Sequence, residues 1–234
     1  MSLEFSTEAS GLPTDSARAK THAPISVRHN PYHVRPKRSD ICTPPPVAKF
    51  IFDLLRGHPY QTVLDPAIGQ GALTAPWRAA GRTVVGCDID PASEPYADLF
   101  LDGPFEAVAS WDAPRPDIAV VNSPFNGAPR GELYPEVFLS HLVALFGTNF
   151  PIVLFTPMGL RLNQRQKSRR WRWLRDCGLE ITSLLALPLD VFPDVEFHLE
   201  VVFFNVPNIA AHYFLSPACE AELRDWHSQR EKLA

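Results

Sequence analysis

The feature that most constrains the fold is an alternation of short, continuously apolar segments with longer segments of helical spacing. The apolar segments are four to six residues long, which is typical of strands buried on both faces of a sheet. They span residues 62–65, 83–88, 106–109, 117–122 and 151–155. Helical spacing marks residues 47–55, 72–80, 96–100, 132–146 and 164–177. The alternation predicts an α/β fold with a mostly parallel sheet and helices on both faces.

The end of the chain departs from this alternation. Two further apolar segments, at residues 181–187 and 200–205, are joined by a loop rather than by a helix. Such a connection permits an antiparallel pair, which would complete a seven-stranded sheet. We expect one domain over residues 38–207, preceded by a mostly disordered, basic and proline-rich arm (1–37) and followed by a helical tail (208–234).

Composition excludes several classes of protein. The 234 residues carry a formal net charge of -4, so any nucleic-acid contact must come from a local basic surface. The four cysteines are far apart in sequence, which argues against a zinc site and a disulfide framework. Neither a signal peptide nor an apolar run of about 18 residues is present. These patterns predict a soluble, cytoplasmic protein with no metal and no membrane partner.

Polar residues follow the first two predicted strands. Asp65 ends the first strand and leads into a turn that contains Gly69 and Gly71. Glycines at such a turn let a ligand approach the backbone closely. Asp88 ends the second strand about 20 residues later, where a carboxylate can accept hydrogen bonds from ribose hydroxyls. The pattern favours an adenosine-containing ligand and leaves a nicotinamide cofactor open.

The fourth strand ends in Asn122-Ser123-Pro124-Phe125. This segment resembles the Asn-Pro-Pro-(Tyr/Phe) motif of S-adenosylmethionine-dependent amino-methyltransferases, the N6-adenine DNA methyltransferase family. The exocyclic amine of adenine is a poor nucleophile because its lone pair is delocalised into the ring. The Asn side-chain oxygen and the next backbone carbonyl can bind its two N–H groups and direct the lone pair towards the methyl group. The aromatic residue stacks on a base turned out of the helix.

The resemblance extends over residues 40–205 and implies a Rossmann-like class I methyltransferase fold that binds S-adenosyl-L-methionine. It places Thr43 at the methionine moiety of the cofactor and Asp112 at the adenine amine. Asp65, Gly69 and Gly71 match the cofactor loop, and Asp88 matches the ribose-binding acid. It also implies that Phe192 sandwiches the flipped base against Phe125.

Two departures from the family pattern bear on function. Ser123 replaces the usual first proline, although it keeps the backbone carbonyl that the family uses, and Pro124 still favours an extended Ser123. About 30 residues follow the last predicted strand, too few for a separate target-recognition domain. We therefore expect a small enzyme of loose specificity in a bacterial or phage-infected cell, as in the small orphan enzymes of phages and mobile elements, or one that receives its specificity from a partner protein. Its oligomeric state is left open.

Residues 161–175 carry seven Arg and Lys residues with two tryptophans between them. The run is interpreted either as a solvated helix face or as a phosphate-contacting surface, with Arg165, Arg169 and Arg172 as the contacts. It favours a nucleic-acid acceptor, and we prefer DNA to RNA. An RNA adenine, a protein glutamine or a degenerate, purely regulatory methyltransferase are the alternatives.

Overall fold

The computed structural model describes residues 42–125, 128, 132–162, 164–192 and 198–233, and eight of its strands form one sheet. In space the strands are ordered β3-β2-β1-β4-β5-β7-β6-β8. Their bounds are β1 Thr62–Asp65, β2 Thr83–Asp88, β3 Leu99–Asp102, β4 Ile118–Val121, β5 Ile152–Pro157, β6 Ile181–Ala186, β7 Leu199–Phe204 and β8 His212–Phe214. The predictions for the arm at residues 1–37 lie outside the described residues.

The sheet is parallel from β3 to β5 and mixed beyond it. β1 pairs in parallel with β2 and β4, and the parallel arrangement continues outward to β3 and β5. β7 is antiparallel to both β5 and β6, whereas β8 runs parallel to β6. The predicted mostly parallel sheet and its late antiparallel pair are therefore confirmed, with eight strands instead of seven.

Helices cover both faces because successive residues of each strand point to opposite sides. Val63 belongs to an apolar cluster that includes residues of the helices Pro45–Leu55 and Pro217–Leu233, whereas its neighbour Leu64 belongs to a cluster that includes residues of the helix Tyr134–Phe146. Both residues are fully buried. The helices are α1 Pro45–Leu55, α2 Ala75–Ala79, α3 Tyr134–Phe146, α4 Arg169–Asp176 and α5 Pro217–Leu233. The result is the three-layer arrangement that the unbroken apolar strands predicted.

The prediction between β2 and β4 was wrong. Residues 96–100 were expected to be helical and 106–109 to form a strand, but the strand is Leu99–Asp102 and a 3-10 turn covers Phe105–Ala107. Pro91 and Pro95 limit the preceding helix to a 3-10 segment, Pro91–Tyr96. The run from Leu99 to Leu101 is then free to pair with β2.

The residues after β7 complete the sheet and brace the first helix. β8 is added to the sheet as its outermost strand next to β6, and α5 folds back on α1. Cys219 and Leu223 of α5 are buried in the same apolar cluster as Val47 and Ile51 of α1. The Cys219 thiol donates to the carbonyl of Pro46 at 3.4 Å. The position of α1 therefore depends on the end of the chain.

Candidate functional site

Three of the predicted site residues, Asp65, Asp88 and Asn122, lie at one edge of the sheet. β1, β2, β3 and β4 run in parallel, so their carboxyl ends lie on the same side. Asp65, Asp88, Asp102 and Asn122 end these strands or directly follow them. Strand topology thus brings together residues that are up to 57 positions apart in sequence.

The turn after β1 closes directly on the end of β2. Gly69 and Gly71 have φ angles of 49° and 68°, the left-handed region that glycine adopts most readily. The Gly69 N–H donates to Asp88 Oδ2 at 2.8 Å, and Asp88 Oδ1 accepts from the N–H of Asp90 at 2.9 Å. A Cβ on Gly71 would lie 2.7 Å from the Cβ of Tyr96. Both glycines are therefore required by the shape of this turn.

Acidic groups are concentrated at this edge of the sheet. The carboxyl of Asp65 is only 2% exposed and accepts a 3.1 Å hydrogen bond from the Ala67 N–H. Burial raises the pKa of Asp65 to about 7. Burial, followed by the charge of Asp88 and of further carboxylates around it, also raises the pKa of the Cys87 thiol to about 12. A positively charged ligand at this edge would favour the ionised form of Asp65.

A third acid at this edge was missed by the sequence analysis. In the register of β2 and β3, Asp102 lies directly opposite Asp88. The predicted adenine-binding residue, Asp112, lies instead in the loop before β4, where it is exposed and accepts a 3.1 Å hydrogen bond from the Ser110 hydroxyl. The role of Asp112 stays a prediction. The sequence signal for Asp102 is an acid directly after the apolar residues 99–101, which the predicted helix at residues 96–100 overlaps.

Asn122 lies against Thr43, which is 79 residues away in sequence. Asn122 Nδ2 donates to Thr43 Oγ1 at 2.9 Å, and Thr43 is 4% exposed. Among the described residues no hydrogen-bond donor contacts Asn122 Oδ1. The structure therefore joins a predicted cofactor residue to a predicted catalytic residue, a contact that sequence reasoning did not anticipate.

The rest of the motif is half-buried or buried. Ser123 is 2% exposed, and its hydroxyl is buried without a hydrogen-bond partner among the described residues. Pro124 and Phe125 are half-buried, and Phe125 packs against the apolar cluster of the α1 face. An unpaired buried hydroxyl lowers the free energy of unfolding, so Ser123 is expected to destabilise the fold.

Phe192 lies in the core rather than on an open surface. It is 3% exposed and packs edge-on against Phe155, with 6.1 Å between ring centroids. In this conformation it offers no free ring face to a base. Its stacking role stays a prediction, and the predicted neighbour Pro193 lies outside the described residues.

Four of the seven cations in residues 161–175 are used within the fold. Arg169 pairs with Glu132, Arg170 Nε donates to Glu136 Oε2 at 2.8 Å, and both glutamates are buried. Arg161 forms a two-point ion pair with Glu200, and Arg175 does so with Asp176. Arg169 and Arg170 therefore tie α4 to the start of α3. This position of Arg169 favours a structural role over the predicted phosphate contact, which stays untested.

The three other cations of this run point to solvent. Arg165, Lys167 and Arg172 are exposed, and no acid of the described residues lies in ion-pair range of them. Trp171, on the same helix as Arg172, is 40% exposed. Of the predicted phosphate contacts, Arg165 and Arg172 thus remain available to an external anion.

Within the described residues, no group of three or more His, Cys, Asp or Glu side chains could hold a metal ion. In the same part of the chain, every helix is too short or too polar to span a membrane.

Comparison with solved structures finds methyltransferases that have a similar fold. A protein from Listeria monocytogenes assigned to the class I S-adenosylmethionine-dependent methyltransferases superposes with a TM-score of 0.57 at 14% identity, over 82% of this chain and 73% of that one. The methyltransferase subunit of a type I restriction-modification system from Streptococcus thermophilus gives 0.55 at 18% identity, over 81% of this chain and 53% of that one. A Vibrio vulnificus protein assigned as the modification subunit of a type I restriction enzyme superposes with a TM-score of 0.56 at 17% identity, over 84% of this chain and 54% of that one.

The chain spans about half of the length of these two type I proteins. No known family profile matches the sequence, and no curated protein matches it either. At identities of 14% to 18% the likeness concerns the fold. The chain has the Rossmann-like fold of class I S-adenosylmethionine-dependent methyltransferases.

Proposed function

We propose that the chain transfers the methyl group of S-adenosylmethionine to an exocyclic amino nitrogen, and that N6 of adenine in DNA is the acceptor. The observation that carries this proposal is the amide of Asn122 at the end of β4, held through Nδ2 by Thr43. This arrangement presents Oδ1 as an acceptor beside an edge lined with carboxylates. An oxygen acceptor beside carboxylates is suited to binding the N–H group of a target amine next to a cationic cofactor.

The residues present fit the cofactor. Asp88 has lone pairs left on both oxygens for the ribose hydroxyls, because each oxygen accepts only one backbone hydrogen bond in the described structure. Gly69 and Gly71 leave the turn without side chains, and Asp65 and Thr43 would face the methionine moiety. When bound, S-adenosylmethionine supplies a methyl group activated by a positively charged sulfur.

The adenine moiety would lie at the outer part of the same edge. Ile89 follows Asp88 and is 59% exposed, so it offers an apolar surface for a ring. Asp102, opposite Asp88 in register, is a carboxylate at this edge that can accept from the adenine amine. Asp112 is the rival for that role.

In the proposed reaction the chain mainly positions the acceptor. Asn122 Oδ1 and the Ser123 carbonyl accept the two N–H groups of the amine, which directs its lone pair towards the methyl carbon. With S-adenosylmethionine bound, transfer would form an N–C bond at the expense of the cofactor's S–C bond, and the nitrogen would then release one proton to water. Phe125, with Phe192 if it leaves the core, would hold the base. Alignment of the reacting atoms supplies most of the acceleration, without a dedicated general base or metal.

The preference for DNA is supported by charge and by structural likeness. Arg165, Lys167 and Arg172 form an exposed basic surface on and before α4, on a chain with net charge -4. The Streptococcus and Vibrio proteins are named as subunits of restriction systems. A cytoplasmic enzyme that receives its sequence specificity from a partner protein is therefore part of the proposal.

The first test is methyl transfer from tritiated S-adenosylmethionine to unmethylated duplex DNA, followed by nucleoside analysis. Total RNA and a protein extract serve as parallel acceptors, and Asn122→Ala is the matched variant. Label in N6-methyladenine of DNA that is lost in Asn122→Ala supports the proposal. Label only in RNA or protein moves the acceptor. Cofactor binding without transfer to any acceptor would favour a regulatory protein, and full activity of folded Asn122→Ala would refute the assigned role.

The basic surface is tested by the salt dependence of DNA binding. Each phosphate contact contributes about 0.9 to the slope of log K against log salt concentration. The Arg165→Ala/Arg172→Ala double variant should therefore flatten this slope by about 1 to 2. Arg175→Ala, on the same helix but paired with Asp176, is the control and should leave the slope near that of the parent. Equal slopes for all three proteins would exclude this surface from the interface.

A further inference from the structure

We propose that Thr43 is a positioning residue that fixes which end of the Asn122 amide faces the target amine. The inference rests on the proposed function and concerns how the amine that receives the methyl group is oriented. It starts from one contact, the 2.9 Å hydrogen bond from Asn122 Nδ2 to Thr43 Oγ1. Family resemblance had assigned Thr43 only to the cofactor.

The orientation matters because the two ends of an amide have nearly the same shape and opposite hydrogen-bonding character. The oxygen accepts, whereas the NH2 group donates two hydrogens. A target amine also presents N–H donors, so only the oxygen can bind it. A reversed amide would place donors against donors and leave buried polar groups unpaired. Catalysis therefore requires that Nδ2 be bound elsewhere.

Thr43 is well placed to bind Nδ2 because its own position is fixed. It is 4% exposed and directly precedes Pro44, whose carbonyl accepts from the N–H groups of Val47 and Ala48 at 3.0 and 3.1 Å. These bonds anchor Thr43 to the first turn of α1. α5 in turn braces α1 through the bond from Cys219 to Pro46. The hydroxyl thus belongs to a rigid part of the fold, as precise positioning requires.

A hydroxyl can donate as well as accept, so Thr43 selects one amide orientation only when its own hydrogen is engaged by another acceptor. In the proposed complex, Thr43 would lie at the methionine moiety of the cofactor, whose carboxylate would supply such an acceptor. With the hydroxyl hydrogen engaged there, Thr43 can only accept from Asn122. Cofactor binding and the orientation of the Asn122 amide are then linked through the Thr43 side chain.

The test compares Thr43→Val, which removes the hydroxyl at constant shape, with Thr43→Ser, which keeps it. If the Asn122 amide no longer directs the target amine, kcat of Thr43→Val should be about tenfold or more below that of the parent at saturating cofactor and DNA. Thr43→Ser should have a kcat within about threefold of the parent value. A residue that only binds cofactor would raise the KM for cofactor and leave kcat unchanged. Thr182→Val is the control, since it removes a hydroxyl that bonds two backbone groups at the start of β6, outside the proposed site.

A second readout does not depend on activity. Solvent exchange of the Asn122 side-chain amide, assigned by its loss in Asn122→Ala, is followed by NMR with and without S-adenosylhomocysteine. We expect the product cofactor to slow exchange in the parent and in Thr43→Ser, and to have no such effect in Thr43→Val. Equal exchange in the parent and Thr43→Val would overturn the proposal.

The outcomes separate this inference from the proposed function. Loss of kcat in Asn122→Ala but not in Thr43→Val overturns the role of Thr43 alone. Full activity of Asn122→Ala, or no transfer by the parent protein, overturns the proposed function. In that case the exchange measurement still decides whether Thr43 holds the amide.

Discussion

The ionisation of Asp65 gives a direct test of how the site is built. Its carboxyl is 2% exposed at the end of β1, and burial raises its pKa from 3.8 to about 7. The folded protein therefore keeps the proton at pH values where the unfolded chain has released it. The free energy of unfolding should fall as the pH rises from about 4 to 7 and stay at the lower value above that range. The difference of about three pH units corresponds to a cost of about 4 kcal/mol at alkaline pH.

The replacement Asp65→Asn removes this titration and keeps an oxygen that can accept from the Ala67 N–H. Urea unfolding of both proteins without cofactor, at pH 5 and pH 9, isolates the effect because the other titrating groups are shared. Relative to the variant, the parent should lose about 3 kcal/mol between the two pH values. Asp112→Asn makes the same chemical change at an exposed residue and controls for the substitution itself. A stability difference between parent and Asp65→Asn that does not vary with pH would refute the reasoning from burial.

Two further predictions concern the motif and the turn. Ser123→Ala removes a buried, unpaired hydroxyl and should stabilise the protein by about 1 kcal/mol, or about 2–4 °C in Tm, with the backbone carbonyl retained; a lower Tm would contradict it. Gly71→Ala and Gly81→Ala both place a side chain at positive φ, but only at Gly71 does the new Cβ meet a neighbour, at 2.7 Å. Urea unfolding should show Gly71→Ala to be less stable by a further ~1–3 kcal/mol, and equal losses would contradict the contact.

Sequence patterns predicted most of the strands because a strand that is buried on both faces has an apolar local composition. β1, β2, β4 and β5 each read as an unbroken apolar run, which a helix of the same length would not require. The wrong prediction at β3 shows the limit of this method. A run of three apolar residues, 99–101, fits a helix or a strand equally well, and only its pairing with β2 decides.

The site was predicted in the same uneven way. Asp65, Asp88 and Asn122 follow strands that the sequence identifies, so their convergence on one edge follows from parallel topology alone. Contacts between distant segments carry no local signal. The pairing of Arg169 with Glu132 and the burial of Phe192 both arise from the packing of one element on another.

The sequence by itself therefore determined the class of fold and the position of Asp65, Asp88 and Asn122 at the carboxyl edge of the sheet. It could do so because the apolar period and the turn residues act within a few positions of one another. Only the tertiary structure decided that Asp102 lies opposite Asp88 and that Thr43 binds Asn122. Register and side-chain partners depend on how whole elements pack, and that packing is a property of the complete fold.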